Sequence, residues 1–174
     1  AVQVYLVKDK INIGFIGAGN LGRHAILGLI DSYEINVSDP MQDQEILSLG
    51  ITYISIEELC KNSDVIFLTI KPNISEEILS KISDYIDDKL IISFIAGMSL
   101  KKLEKLLSSK NIIRAMPSLG ISNGLSPIAV CSNHGVEISS GEKILNKLGR
   151  CMEIEESKFD AFTSIFGAGP AYIS

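Results

Sequence analysis

The sequence predicts an α/β domain built on a doubly wound, mostly parallel sheet. Short aliphatic runs alternate with stretches of helical periodicity along most of the chain, the pattern of strands joined by crossover helices. A glycine-rich turn stands between the first aliphatic run and the first amphipathic stretch. The 174 residues are 46% apolar but only 6% aromatic, enough for one aliphatic core of ordinary domain size. The rhythm changes after residue 117, so one or two antiparallel strands are expected at one edge of a six-stranded parallel core.

Each element has its own local signal. The first strand is expected at 11–16, and a helix follows from about Asn20 with Leu21, Ala25 and Leu29 spaced by four along one face. A second strand is read at 35–38, after which Asp39-Pro40 opens a helix that Gly50 ends. A short strand at 52–54 leads into the capping box Ser55-Ile56-Glu57-Glu58. Residues 65–70 read as the clearest buried strand, terminated by Lys71-Pro72 because proline lacks an N–H and disfavours helical geometry just before it. Ile78, Ile82 and Ile86 would line the inner face of the next helix. Strand five is read at 90–94, and Ser99 is the expected N-cap of a helix over 100–107. Strand six, 112–116, is broken by Pro117. Beyond it come a turn at 120–124, a strand at 125–131, a short helix at 141–148 and a strand at 151–154. Residues 1–10 are read as an extension or edge strand, 11–166 as the main domain, and 167–174 as the start of a helical second unit with Pro170 near its first position.

Composition narrows the functional classes. A net charge of −5 argues against a nucleic-acid surface, which needs clustered Lys and Arg. No apolar run reaches the roughly 18 residues of a membrane span. Cys60, Cys131 and Cys151 are widely spaced with no CxxC pattern, which fits reduced, buried thiols in a cytoplasmic protein. His24 and His134 have no partners at ligand spacing, so no metal site is expected.

The chemistry concentrates in Gly17-Ala18-Gly19-Asn20-Leu21-Gly22, which follows Ile16. A glycine triplet of this spacing between a strand and a helix is the fingerprint of dinucleotide binding in a Rossmann-type sheet. Gly17 permits the tight turn, Gly19 leaves the backbone open to a pyrophosphate, and Gly22 lets the helix pack close to the strand. The N–H groups of Asn20 and Leu21 are then placed to donate to phosphate. Asp39 at the end of strand two has two readings: a carboxylate for the adenosine ribose hydroxyls, or the cap of a helix starting at Pro40. The first favours NAD, while Ser38 could bond a 2′-phosphate, so NADP and NAD both stay open. Lys71 and Ala96-Gly97 end strands four and five at the sheet edge where such folds bind ligands. Arg114, inside strand six, needs a partner if buried and is read as structural. The absence of a nucleophile–base pair or an acidic cluster suits hydride transfer, in which the cofactor carries the chemistry.

Taken together, Ile16-Gly17-Ala18-Gly19-Asn20-Leu21-Gly22, Leu68-Thr69-Ile70-Lys71-Pro72, Ile95-Ala96-Gly97-Met98-Ser99, Arg114-Ala115-Met116-Pro117 and Gly167-Ala168-Gly169-Pro170-Ala171-Tyr172 resemble the pyrroline-5-carboxylate reductases. The resemblance runs from about Ile11 to the end. It implies reduction of the C=N bond of 1-pyrroline-5-carboxylate to L-proline by NAD(P)H. It also implies that Ile16 to Gly22 hold the pyrophosphate, that Ser38 and Asp39 lie beside the adenosine ribose, and that Thr69, Ile70, Lys71, Pro72, Ile95, Ala96 and Gly97 line the nicotinamide half. The family's substrate pocket and homo-oligomer interface are built by a helical second domain, which this chain would only begin. Two segments depart from the family pattern. Ser118-Leu119-Gly120 replaces the usual Asn-Thr-Pro, and Phe166-Gly167-Ala168-Gly169 replaces Ser-Gly-Ser-Gly. Two alternatives accommodate them: a related reductase of β-hydroxyacid dehydrogenase type acting on another small substrate, and a nucleotide-binding protein without turnover.

Overall fold

The computed structural model describes residues 10–109, 111–118, 121, 124–133 and 136–167. The expectations placed on 1–9, on Leu119 and Gly120, on His134 and on 168–174 lie outside these residues.

Eight strands form one sheet in the order β3-β2-β1-β4-β5-β6-β7-β8. They are β1 (Asn12–Ile16), β2 (Glu34–Ser38), β3 (Thr52–Tyr53), β4 (Val65–Leu68), β5 (Leu90–Ser93), β6 (Ile112–Pro117), β7 (Ser126–Ser132) and β8 (Gly149–Glu153). The first six run parallel; β7 pairs antiparallel with β6, and β8 runs parallel to β7. The sheet is therefore the expected doubly wound one, with two reversed strands at one edge.

Strand periodicity divides the core in two. Along β4, Val65 and Phe67 face one side and Ile66 and Leu68 the other, as the two-residue repeat requires. On the first side Phe15 stacks on Phe67 at 4.8 Å, and Ala25, Ile26 and Leu29 of α1 (Asn20–Leu29) close over them. On the second side lie Leu59 and Cys60 of α3 (Ile56–Asn62), Leu79 and Ile82 of α4 (Pro72–Ile82), and Leu103 and Leu107 of α5 (Leu100–Leu107). Every one of these side chains is buried, so both faces of the parallel sheet are covered, as such sheets require.

Several boundaries differ from expectation for identifiable reasons. The helix after β2 does not begin at Asp39-Pro40. Asp43 is its N-cap, accepting from the Glu45 and Ile46 N–H groups, and α2 is only Gln44–Ser48. β3 stops at Tyr53, β4 stops at Leu68, and Lys71 is the N-cap of α4 with Pro72 in its first turn. Lys71-Pro72 thus starts a helix rather than merely ending a strand. The buried stripe of α4 is Ser75, Leu79 and Ile82; Ile78 is only half-buried, and Ile86 is buried beyond the helix. Pro117 closes β6 instead of breaking it, because its antiparallel partner is Ile128 at the very end of the ladder. The late helix is α6 (Ser139–Leu145), two residues ahead of its expected start, and α7 (Phe159–Phe162) runs into a wider turn at Thr163–Gly167.

Candidate functional site

The order of strands reverses between β1 and β4: from β1 the chain winds outward to β2 and β3, then returns to β4 on the other side. A crevice opens at such a point beyond the carboxyl ends of the strands. The segments predicted to bind ligand, after β1, β2, β4 and β5, all leave the sheet at this edge.

Gly17 turns the chain out of β1 at φ +95°, a left-handed geometry that favours glycine. Its N–H donates to the Ser38 carbonyl oxygen at 2.9 Å, tying the turn to β2. Gly19 is the N-cap of α1 and supplies no capping side chain. A Cβ built on it would meet nothing within 4 Å, whereas one on Gly22 would lie 2.6 Å from the Gly17 carbonyl oxygen. The open space at Gly19 and the close packing at Gly22 are the geometries expected of the second and third glycines. The first intrahelical bond of the turn is Arg23 N–H to Gly19 O at 2.8 Å, so the N–H groups of Asn20, Leu21 and Gly22 precede the helical ladder. With no acidic side chain in that first turn, the helix start presents N–H groups in a geometry that suits an anion. These features fit a dinucleotide pyrophosphate.

Asp39 lies where the sequence placed it and makes a contact the sequence did not reveal. One carboxylate oxygen accepts from the Ala18 N–H at 2.7 Å and the other from the Met41 N–H at 2.8 Å. It is no helix cap; it locks the glycine turn to the loop after β2. Thr69 braces the turn from the other side, its hydroxyl donating to the Gly17 carbonyl oxygen at 2.5 Å and its N–H to that of Ile16 at 3.0 Å. Ile70 packs its methyl against the same glycine. Lys71 and Pro72 are exposed beside it, as are Ala96 and Gly97, while Ile95 is buried beneath them. Gly97, at φ +69° with open space around it, leaves this part of the edge unobstructed.

Arg114 finds the partner its burial demands. Its guanidinium donates to the Glu156 carboxylate at 3.0 Å and lies 4.6 Å above the Phe159 ring. The same Glu156 oxygen accepts from the Leu100 N–H at 2.6 Å, capping α5 alongside Ser99. Sequence reasoning missed Glu156; the cue was a lone arginine in a buried strand, which obliges an acid somewhere else in the chain. It also missed the ion pair of Arg23 with Glu45. Two surface clefts, one lined by Lys101, Glu104 and Lys105 and one by Asp87, Asp88 and Asn111, lie where α5 ends and β5 and β6 begin, at the opposite edge from the glycine turn. No group of three or more His, Cys, Asp or Glu able to hold a metal occurs among the described residues. No helix among them is long and apolar enough to cross a membrane.

Comparison with known proteins gives the arrangement a context. Residues 12–97 match the family model described as NADP oxidoreductase coenzyme F420-dependent. The pyrroline-5-carboxylate reductase of Aquifex aeolicus is 35% identical over 94% of this chain and 64% of its own length. That of Methanosarcina acetivorans is 32% identical over 95% of this chain and 66% of its own. The crystal structure of Plasmodium falciparum pyrroline carboxylate reductase with NADP bound superposes with a TM-score of 0.85 at 30% identity, covering 95% of this chain and 65% of that one. The chain therefore spans about two thirds of the length of these relatives.

Proposed function

From the premise that the chain belongs to the pyrroline-5-carboxylate reductase family, we propose that it is the cofactor-binding part of a reductase that forms L-proline from 1-pyrroline-5-carboxylate. The observation that carries the reading is the start of α1: a side-chain-free, uncapped helix N-terminus at the switch point, braced by Asp39 and Thr69.

Each residue at the edge has a part. Ile16, Gly17, Ala18 and Gly19 bring the backbone up to the pyrophosphate, and the Asn20, Leu21 and Gly22 N–H groups donate to it in the positive field of the helix end. Ser38 and Asp39 face the adenosine ribose; each Asp39 oxygen keeps a lone pair beyond its backbone bond. Thr69, Ile70, Lys71 and Pro72 on one strand end, and Ile95, Ala96 and Gly97 on the next, line the nicotinamide half. The small, exposed Ala96 and Gly97 leave a ring room to lie flat. When bound, the reduced nicotinamide supplies the hydride for the imine carbon. The chain's own contribution is positional: it holds the donor rigidly at the sheet edge, against a substrate pocket and oligomer contacts that the family builds from a helical domain. We place this work in the cytoplasm, with 11–166 as the binding domain.

The reading is tested by titrating the chain with NADH and NADPH and following the fluorescence of the reduced nicotinamide. Saturable binding of at least one is expected; binding of neither at millimolar concentration would overturn the cofactor assignment. In the whole natural polypeptide, oxidation of NAD(P)H with 1-pyrroline-5-carboxylate and appearance of proline are expected. Cofactor binding without proline formation would move the protein to a different imine or carbonyl substrate.

A further inference from the structure

The segment that leaves β2 carries three carboxylates, and they are used differently. Asp39 accepts only peptide N–H groups, those of Ala18 and Met41. Asp43 likewise accepts the Glu45 and Ile46 N–H groups, while its own N–H donates to the Tyr53 hydroxyl at 3.0 Å. Glu45 alone of the three takes a cation: it pairs with Arg23, from the first turns of α1. The loop 39–43 is thus tied down at both ends, and the Arg23–Glu45 pair spans from α1 to α2 across it. Both partners remain accessible, their side chains 30% and 52% exposed.

Resting on the assignment of Asp39 to the adenosine ribose, we propose that the Arg23–Glu45 pair selects between dinucleotides with and without a 2′-phosphate. Among the described residues, Arg23 is brought to this segment by its ion pair with Glu45, and its planar guanidinium is the group best suited to a phosphate. Glu45 already holds it. A 2′-phosphate arriving beside Asp39 would meet that carboxylate and an arginine whose charge Glu45 already offsets. A ribose carrying two hydroxyls meets an acceptor. As built, the site favours NADH, and Glu45 is the residue that keeps Arg23 from reversing the preference. Because the pair is solvent-accessible, exchanging one anionic partner for another carries little desolvation cost. Removing Glu45 should therefore free Arg23 without disturbing the fold, and glutamine at that position keeps the backbone N–H that Asp43 accepts.

The test is binding, not turnover. Dissociation constants for NADH, NADPH, 5′-AMP and 2′,5′-ADP are measured for the wild-type chain, Glu45→Gln, Arg23→Ala and the double variant. The wild type is expected to bind NADH more tightly than NADPH. Glu45→Gln should tighten NADPH and 2′,5′-ADP up to about fivefold, the most that releasing one exposed ion pair returns, and leave NADH and 5′-AMP within about twofold. In the double variant that gain should vanish. The proposal is overturned if Glu45→Gln tightens both cofactors equally or neither, if the gain survives Arg23→Ala, or if the wild type prefers NADPH. A wild-type chain that binds none of the four probes would instead overturn the dinucleotide reading on which the proposal rests.

Discussion

A methyl group placed on Gly22 would sit 2.6 Å from the Gly17 carbonyl oxygen and 2.8 Å from the Thr69 hydroxyl, whereas the same methyl on Gly19 meets nothing within 4 Å. Gly19 also has an ordinary φ of −64°, which alanine adopts without strain. The two substitutions should therefore separate folding from binding. Gly22→Ala is expected to cost about 1–3 kcal/mol of stability, the usual penalty of overpacking, and to lower the thermal midpoint in calorimetry. Gly19→Ala should melt close to the parent and lose affinity for NAD(P)H, because its methyl would intrude on the space proposed for the pyrophosphate. Normal cofactor affinity in Gly19→Ala would contradict the placement of the phosphate. The glycine spacing was legible from the residues alone. The work of Asp39 was not, because its two readings turned on where α2 begins, and only Asp43 capping Gln44–Ser48 decides that.

Strand β6 and helix α5 are joined by one carboxylate. Glu156 meets the buried Arg114 guanidinium and the Leu100 N–H at once, and the loop 94–99 that it anchors carries Ala96 and Gly97 to the site. Glu156→Ala would leave Arg114 charged, 5% exposed and unpaired, and would strip a cap from α5. A buried arginine without its acid costs roughly 3 kcal/mol or more, taken at the low end because Glu156 itself is 34% exposed. Equilibrium unfolding in urea should show that loss, with Glu156→Gln recovering part of it through its amide oxygen. An unchanged urea midpoint for Glu156→Ala would show the pair to be incidental. At this scale the periodic signal located every strand of the sheet but misjudged ends. β4 reads as running on to Ile70, yet it stops at Leu68 because Thr69 turns its hydroxyl onto the glycine turn. No local pattern announces a contact 52 residues away.

Across the whole molecule, the three cysteines lie in the packed layers on either side of the sheet. Burial pushes the thiols of Cys60, Cys131 and Cys151 from 9.0 up to about 11; Lys89 opposes this at Cys60, while Glu156 adds to it at Cys131. A raised thiol holds its proton in the folded state at a pH where the unfolded chain has lost it. The unfolded state then binds fewer protons, and stability falls as pH rises from about 9 towards 11. Tyr33, also raised by burial, acts in the same direction. Urea midpoints measured at pH 8 and 10 should fall accordingly, and Cys60→Ala should flatten the decline. At neutral pH the thiols should react slowly with alkylating reagents, since the thiolate is the nucleophile. Rapid alkylation of the folded chain would show that the layers open readily.

The sequence by itself determined the doubly wound class, the glycine cradle and the family, because these rest on short-range regularities: alternation of strand and helix periods, and glycine at fixed spacing. Tertiary structure alone decided which groups meet across the chain. Asp39 on Ala18, Thr69 on Gly17, Glu156 on Arg114 and Glu45 on Arg23 join residues 21, 52, 42 and 22 positions apart. Each pairs a hydrogen-bonding or charged group whose partner is set by strand order and crossover direction, and no local sequence pattern encodes that order.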